Sequence, residues 1–167
     1  MKSNDLIRFM LFLSLTFLIT SCGALRNTSS GGNIKKVDAV TVKRNNLAKS
    51  SKKYIGVKYK YAGKDPKGFD CSGFTSYVMK SEGVTISSSS KAQAVQGKSV
   101  PINKVKPGDL IFFGKRGKVT HVAMVISNTS EGITVIHSTS SKGVMVQNIS
   151  ISNYWKPKIL FARDILG

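Results

Sequence analysis

Cysteine and histidine are the residues in this chain best suited to nucleophilic chemistry, and there are two of each: Cys22, Cys71, His121 and His137. Cys71 opens a stretch, residues 71–82, whose apolar residues Phe74, Tyr77, Val78 and Met79 are spaced for a helix. Gly83 stops it, and Asp70 suits the N-cap. A helix start offers free N–H groups and partial positive charge, which favour a thiolate. That placement predicts a Cys71 pKa below the value of about 8.5 for a free cysteine. The same N–H groups can face the oxyanion formed when a thiolate attacks a carbonyl. An imidazole is then needed to take the thiol proton and return it to the leaving amine. His121 opens one apolar run and His137 closes the next. If those runs form a hairpin, both imidazoles fall near the same end. The second would then fix the tautomer of the first, as the third member of a triad does. Singly, such a cysteine or histidine is more often a packing residue; position and chemistry together bring the catalytic reading level with that one. Three ligands from separate elements, without a Cys-x-x-Cys pair, argue against a metal site. No cofactor is expected.

The elements that must position these residues divide by periodicity. Residues 45–54 read as a short helix, 56–70 as a glycine- and proline-punctuated loop, and 89–96 as another short helix. Residues 110–113, 121–126, 133–137, 144–147 and 159–162 read as strands, the second and third joined by a turn over Asn128 to Gly132. Helices first and strands later predict an α+β domain over residues 45–167, with N-terminal helices packed on an antiparallel sheet.

The 167 residues carry 26 Lys plus Arg against 8 Asp plus Glu, a net charge of +18, with 41% hydrophobic residues. A core can form, and the surface attracts anionic polymers or headgroups. The lysines form no dense tract, so nucleic acid is not an expected partner. Phe9 to Thr20 is nearly all apolar and follows Lys2 and Arg8. It is too short to span a membrane, which takes roughly 20 residues, and suits a signal peptide. The run Leu18-Ile-Thr-Ser-Cys22 resembles the bacterial lipobox. That resemblance implies that residues 1–21 are removed and that Cys22 is lipidated, holding the protein at a membrane. Gly23, in place of the aspartate tied to inner-membrane retention, points to the outer membrane, facing the periplasm. Residues 22–44 read as a flexible linker, polar and without apolar period.

From about Asn45 to Asp164 the chain resembles the NlpC/p60 cell-wall cysteine peptidases. The resemblance rests on Gly56-Val-Lys-Tyr-Lys-Tyr-Ala-Gly63, Gly68-Phe-Asp-Cys-Ser-Gly-Phe74 and Lys106-Pro-Gly-Asp-Leu-Ile-Phe-Phe113. Thr120-His-Val-Ala-Met-Val125 and Val135-Ile-His-Ser138 complete it. It implies a papain-like fold in which Cys71 is the nucleophile, His121 the general base and acid, and His137 the residue orienting it. Tyr59 matches a tyrosine beside the nucleophile that assists the oxyanion. Asp70 and Ser72 match positions that line the substrate site in some members. Ala62 stands where many members have glycine, and alanine tolerates positive φ poorly. No added wall-binding module is seen, and the lipid anchor would replace it. The implied activity is a murein endopeptidase acting on peptide stems or cross-links. The alternatives are a murein-binding lipoprotein that does not cut, and a related thiol amidase or acyltransferase.

Overall fold

The computed structural model describes residues 38–167. The residues read as a signal peptide, Cys22, and the stretch read as linker up to residue 37 lie outside the described residues. Helix α1 spans Ala39–Ser51, so it begins inside the stretch read from sequence as linker. Asp38 caps it, one carboxylate oxygen accepting from the Thr41 N–H at 2.7 Å. Its buried stripe is Arg44, Leu47 and Ser51, with a single apolar member. A helix held by an ionic residue leaves no apolar period to read, which is why its first turns resembled linker.

A one-turn 3₁₀ helix, Lys52–Tyr54, leads into the loop. The loop contains a small hairpin of β1 (Lys64–Asp65) and β2 (Gly68–Phe69). Helices α2 (Cys71–Ser81) and α3 (Ser90–Gln93) follow. Then come β3 (Lys98–Val100), β4 (Leu110–Lys115), β5 (Lys118–Thr129), β6 (Gly132–Thr139), β7 (Gly143–Asn148) and β8 (Ile159–Asp164). These six form one sheet in the order β3-β8-β4-β5-β6-β7, antiparallel throughout. The α+β reading holds, with the predicted hairpin turning between Thr129 and Gly132. Strand β3 went unread: Lys98-Ser99-Val100 is an exposed edge with no apolar alternation.

Alternation along the strands divides the core. Leu110, Phe112, Val122, Met124, Ile136 and Val144 join Leu47, Phe69, Phe74, Val78 and Met79 on the helix side. Ile111, Phe113, Ala123, Val125, Val135, Ile149 and Ala162 cluster on the other side. Ionic bonds tie α1 to the sheet. Arg44 Nη1 donates to Asp109 Oδ1 at 2.6 Å and Nη2 to Asp164 Oδ1 at 2.7 Å. Nη1 also reaches the Pro107 carbonyl at 2.9 Å. Asp109 in turn accepts from the Lys106 N–H at 2.8 Å, fixing the turn that starts β4.

Candidate active site

Cys71 is the first residue of α2, and the chain before it is tightly held. Asp70 Oδ1 accepts from the Gly73 N–H at 2.6 Å, and the Asp70 N–H donates to the Gly63 carbonyl at 3.0 Å. A Cβ on Gly73 would drive into that same carbonyl oxygen, so glycine is needed where the loop crosses the helix start. The Ser138 hydroxyl donates to the Phe69 carbonyl at 2.7 Å, linking the residues before Cys71 to β6. Tyr59 is bridged to Phe69. Ala62 takes a φ of 56°, the left-handed conformation that glycine favours.

The two histidines come from β5 and β6. Met124 pairs with Ile136 and Val125 with Val135. Continuing that antiparallel register puts His121 and His137 on one face, two residues from direct opposition. His121 Nε2 lies 3.0 Å from His137 Nδ1. This leaves His121 Nδ1 for a second partner. Trp155, in the β7–β8 connection, stacks on His121 with ring centres 4.5 Å apart and planes 28° apart. Its ring centre is 5.0 Å from that of His137 and 5.1 Å from that of Phe113. His137 is fully buried, and its Nε2 lacks a hydrogen-bond partner. Gln147 stands close enough to raise the proton affinity of His137 without completing that bond.

Cys71, Tyr59 and His121 line one cleft of about 670 Å³, together with Trp155, Gln147 and the β6–β7 turn. The backbone N–H groups of Val122, Ser72 and Cys71 favour the Cys71 thiolate, so β5 meets the sulfur at the residue following His121. Asp70 and Ser72 are not among the cleft-lining residues. Asp70 is engaged as the α2 cap, and the Ser72 hydroxyl lies 3.0 Å from Asp70 Oδ1 and 2.9 Å from the Ser88 carbonyl.

The thiol and the two imidazoles rest uncharged in a cleft rimmed by lysines. Burial, followed by the His137 ring, pushes His121 down to about 3. Burial pushes His137 down to about 4 against the opposing effect of Gln147. The Cys71 thiol is raised rather than depressed, which corrects the expectation from helix position. Burial is the largest cause, the Asp70 carboxylate adds to it, and the three amides only partly offset them. Burial, then Cys71 and Asp70, also raises the Tyr59 phenol, so it stays a hydrogen-bond donor at neutral pH. A thiol and an imidazole that are both neutral can react if the proton moves as the sulfur attacks.

Sequence reasoning missed Trp155 and Gln147. A signal was present for the first: Trp155 is the single tryptophan of the chain, set in a polar connection where an aromatic needs a reason.

The γ-DL-glutamyl hydrolase of Bacillus subtilis is 36% identical over 124 residues, covering 71% of this chain and 29% of that protein. The γ-D-glutamyl-L-lysine dipeptidyl-peptidase of Bacillus cereus is 39% identical over 104 residues, covering 60% of this chain and 30% of that protein. The chain thus spans less than a third of the length of the curated relatives it matches. Among solved structures, an NlpC/P60 family protein from Bacillus cereus superposes with a TM-score of 0.68 at 33% identity, over 74% of this chain and 40% of that one. The NlpC/p60 domain of the peptidoglycan hydrolase SagA gives 0.62 at 32% identity, over 72% and 97%. These neighbours share the papain-like arrangement of helices on an antiparallel sheet, and the NlpC/P60 family model matches residues 56–164; with Cys71, His121 and His137 all inside that span, the chain belongs to the NlpC/P60 family.

Proposed function

We propose that this domain is a peptidoglycan endopeptidase that hydrolyses an amide bond in the peptide stem through Cys71, His121 and His137. The observation that carries the reading is the shared cleft, in which Cys71 stands with a His121 whose far nitrogen is held by a buried His137. Cys71 Sγ attacks the amide carbonyl carbon as His121 Nδ1 takes the thiol proton. The oxyanion is met by N–H groups at the start of α2 and by the Tyr59 hydroxyl. As the C–N bond breaks, His121 returns the proton to the leaving amine. A water molecule, deprotonated by His121, then opens the thioester, releasing the acid and restoring the thiol. His137 keeps the proton of His121 on Nε2, so Nδ1 remains the base.

The relatives named for γ-glutamyl bonds suggest the bond class. A γ-linked glutamate keeps a free α-carboxylate beside the scissile amide. The cleft is suited to an anionic chain: Lys115, Lys142 and Lys158 line it, and no Asp or Glu does among the described residues. The lipobox-like sequence supports lipidation at Cys22, which would anchor the domain to a membrane of the envelope, by our reading the outer one.

Digestion of purified murein, with fragments identified by mass spectrometry, tests the reading. Wild type should release fragments ending at γ-D-glutamate. Cys71→Ser and His121→Ala should release almost none, and His137→Asn should keep measurable cleavage. Murein bound but uncut, or sugar–peptide amide cleavage instead, would overturn it in favour of the binding or amidase alternative. Radiolabelled palmitate should enter the wild type and not Cys22→Ala.

A further inference from the structure

We propose that Trp155 is a positioning residue for His121, fixing the plane of the imidazole and keeping water out of the His121–His137 hydrogen bond. The inference rests on the reading of His121 as the base. Its ground is geometric. Trp155 lies nearly parallel to His121 at 4.5 Å and covers His137 at 5.0 Å. The same indole meets Phe113 edge-on at 5.1 Å, and Phe113 is fully buried. His121 is therefore flanked by Trp155, Phe113 and His137. An imidazole turns freely about its Cβ–Cγ bond unless something opposes its face. Rotation by half a turn would exchange the two sides of the ring and point the wrong atoms at Cys71 and His137. A stacked indole blocks that motion, because the ring must sweep through it.

Trp155 is itself held. Its backbone N–H donates to Ser152 Oγ at 3.2 Å, and its carbonyl accepts from the Lys158 N–H at 3.0 Å. Tyr154 meets it edge-on at 4.9 Å. The indole thus sits on a closed turn and does not rely on the strand it covers. A hydrogen bond between two imidazoles is also strengthened when water is kept away.

The charged and titratable groups facing His121 are few. His137 approaches from β6, and Cys71, Tyr59 and Tyr154 share its cleft, as do Lys115, Lys142 and Lys158. The Lys158 ammonium stands 5.9 Å from the Trp155 ring. Phe113 and Trp155 are the aromatic side chains packed against the imidazole pair, and they pack edge-on against each other.

The test pairs kinetics with histidine NMR, which is simple because the chain has only two histidines. Trp155→Ala should lower kcat by at least about tenfold with KM changed less than about twofold, as for a misplaced catalytic group. Its His121 ring resonances should titrate closer to the unperturbed histidine value than in wild type, because water now solvates the imidazolium. Trp155→Phe, which keeps an aromatic face, should recover most of both properties. Trp155→Leu replaces the alanine variant if that one fails to fold. An unchanged His121 titration in the alanine or leucine variant would overturn the proposal, as would a phenylalanine variant no better than either. A wild type that cuts no murein fragment would defeat the enzymatic reading alone, since the NMR titration still reports on Trp155.

Discussion

Replacing Arg44 with methionine should cost this domain much of its stability, by an amount that depends on pH. Arg44, Asp109 and Asp164 have side-chain exposures of 8%, 1% and 21%. The guanidinium is the cation for two carboxylates, one of them inaccessible to water. Breaking a buried pair by removing one partner leaves an uncompensated charge and costs about 3–5 kcal/mol. Whole domains are stable by roughly 5–15 kcal/mol, so the variant should be near its limit. Burial already raises the Asp109 carboxyl despite Arg44. Without the arginine it should rise further. A carboxyl whose folded pKa lies above its unfolded one favours folding at low pH, and the benefit is lost as pH rises through the folded value. The deficit relative to wild type should therefore be larger at pH 7 than at pH 5. Urea unfolding followed by fluorescence of the single tryptophan measures it at each pH. Adding Asp109→Asn to Arg44→Met should recover part of the loss by removing the stranded charge. A deficit under about 1 kcal/mol at pH 7, or one that does not shrink on acidification, would show that the triad does not stabilise the fold as argued.

Ala62→Gly should stabilise the domain by about 0.5–1 kcal/mol, because a φ of 56° strains alanine and not glycine; a lower melting temperature would refute it. His121 and His137, held down to about 3 and 4, bind fewer protons folded than unfolded below pH 6.5. Stability should be full above that pH and fall as pH drops toward 4, by up to about 1.4 kcal/mol per pH unit for each histidine. His137→Asn removes one contribution, so an undiminished slope in its urea series would count against the burial argument. With the Cys71 thiol raised, iodoacetamide should react slowly at pH 7 and faster as pH climbs past the free-cysteine range. Rapid alkylation already complete near pH 5 would reveal a resting thiolate–imidazolium pair.

The parts of the fold that showed in the sequence are those where burial follows a regular period. Residues 110–147 alternate between two cores, so the strands and their hairpin could be read, and Asp70 announced the start of α2 through its capping chemistry. The ends of β5 escaped because Lys118, Asn128 and Thr129 are exposed and carry no pattern. The first turns of α1 escaped because their inward group is Arg44, whose partners lie 65 and 120 residues away. Trp155 escaped for the same reason: nothing local says that a residue in a polar connection will stack on a histidine of β5. The Cys71 thiol went the other way from its prediction because a helix N-terminus is a local argument. Desolvation and a neighbouring carboxylate are set by packing that the local sequence does not disclose.

Strand β8, last in sequence, lies inside the sheet between β3 and β4. A ribosome delivering this chain from its N-terminus makes the thiol, the two imidazoles and most of the strands before the one that joins β3 to the rest. Until residues 159–164 arrive, β3 has no neighbour and Arg44 lacks Asp164. Closure is a long-range event, and contacts of such high sequence separation form slowly. The nascent chain is therefore poorly placed to complete its sheet as it emerges, because β3 is joined to the rest only once β8 has been made. A topology that withholds the finished sheet leaves the chain open, and its edge strand without a partner, until residues 159–164 have paired.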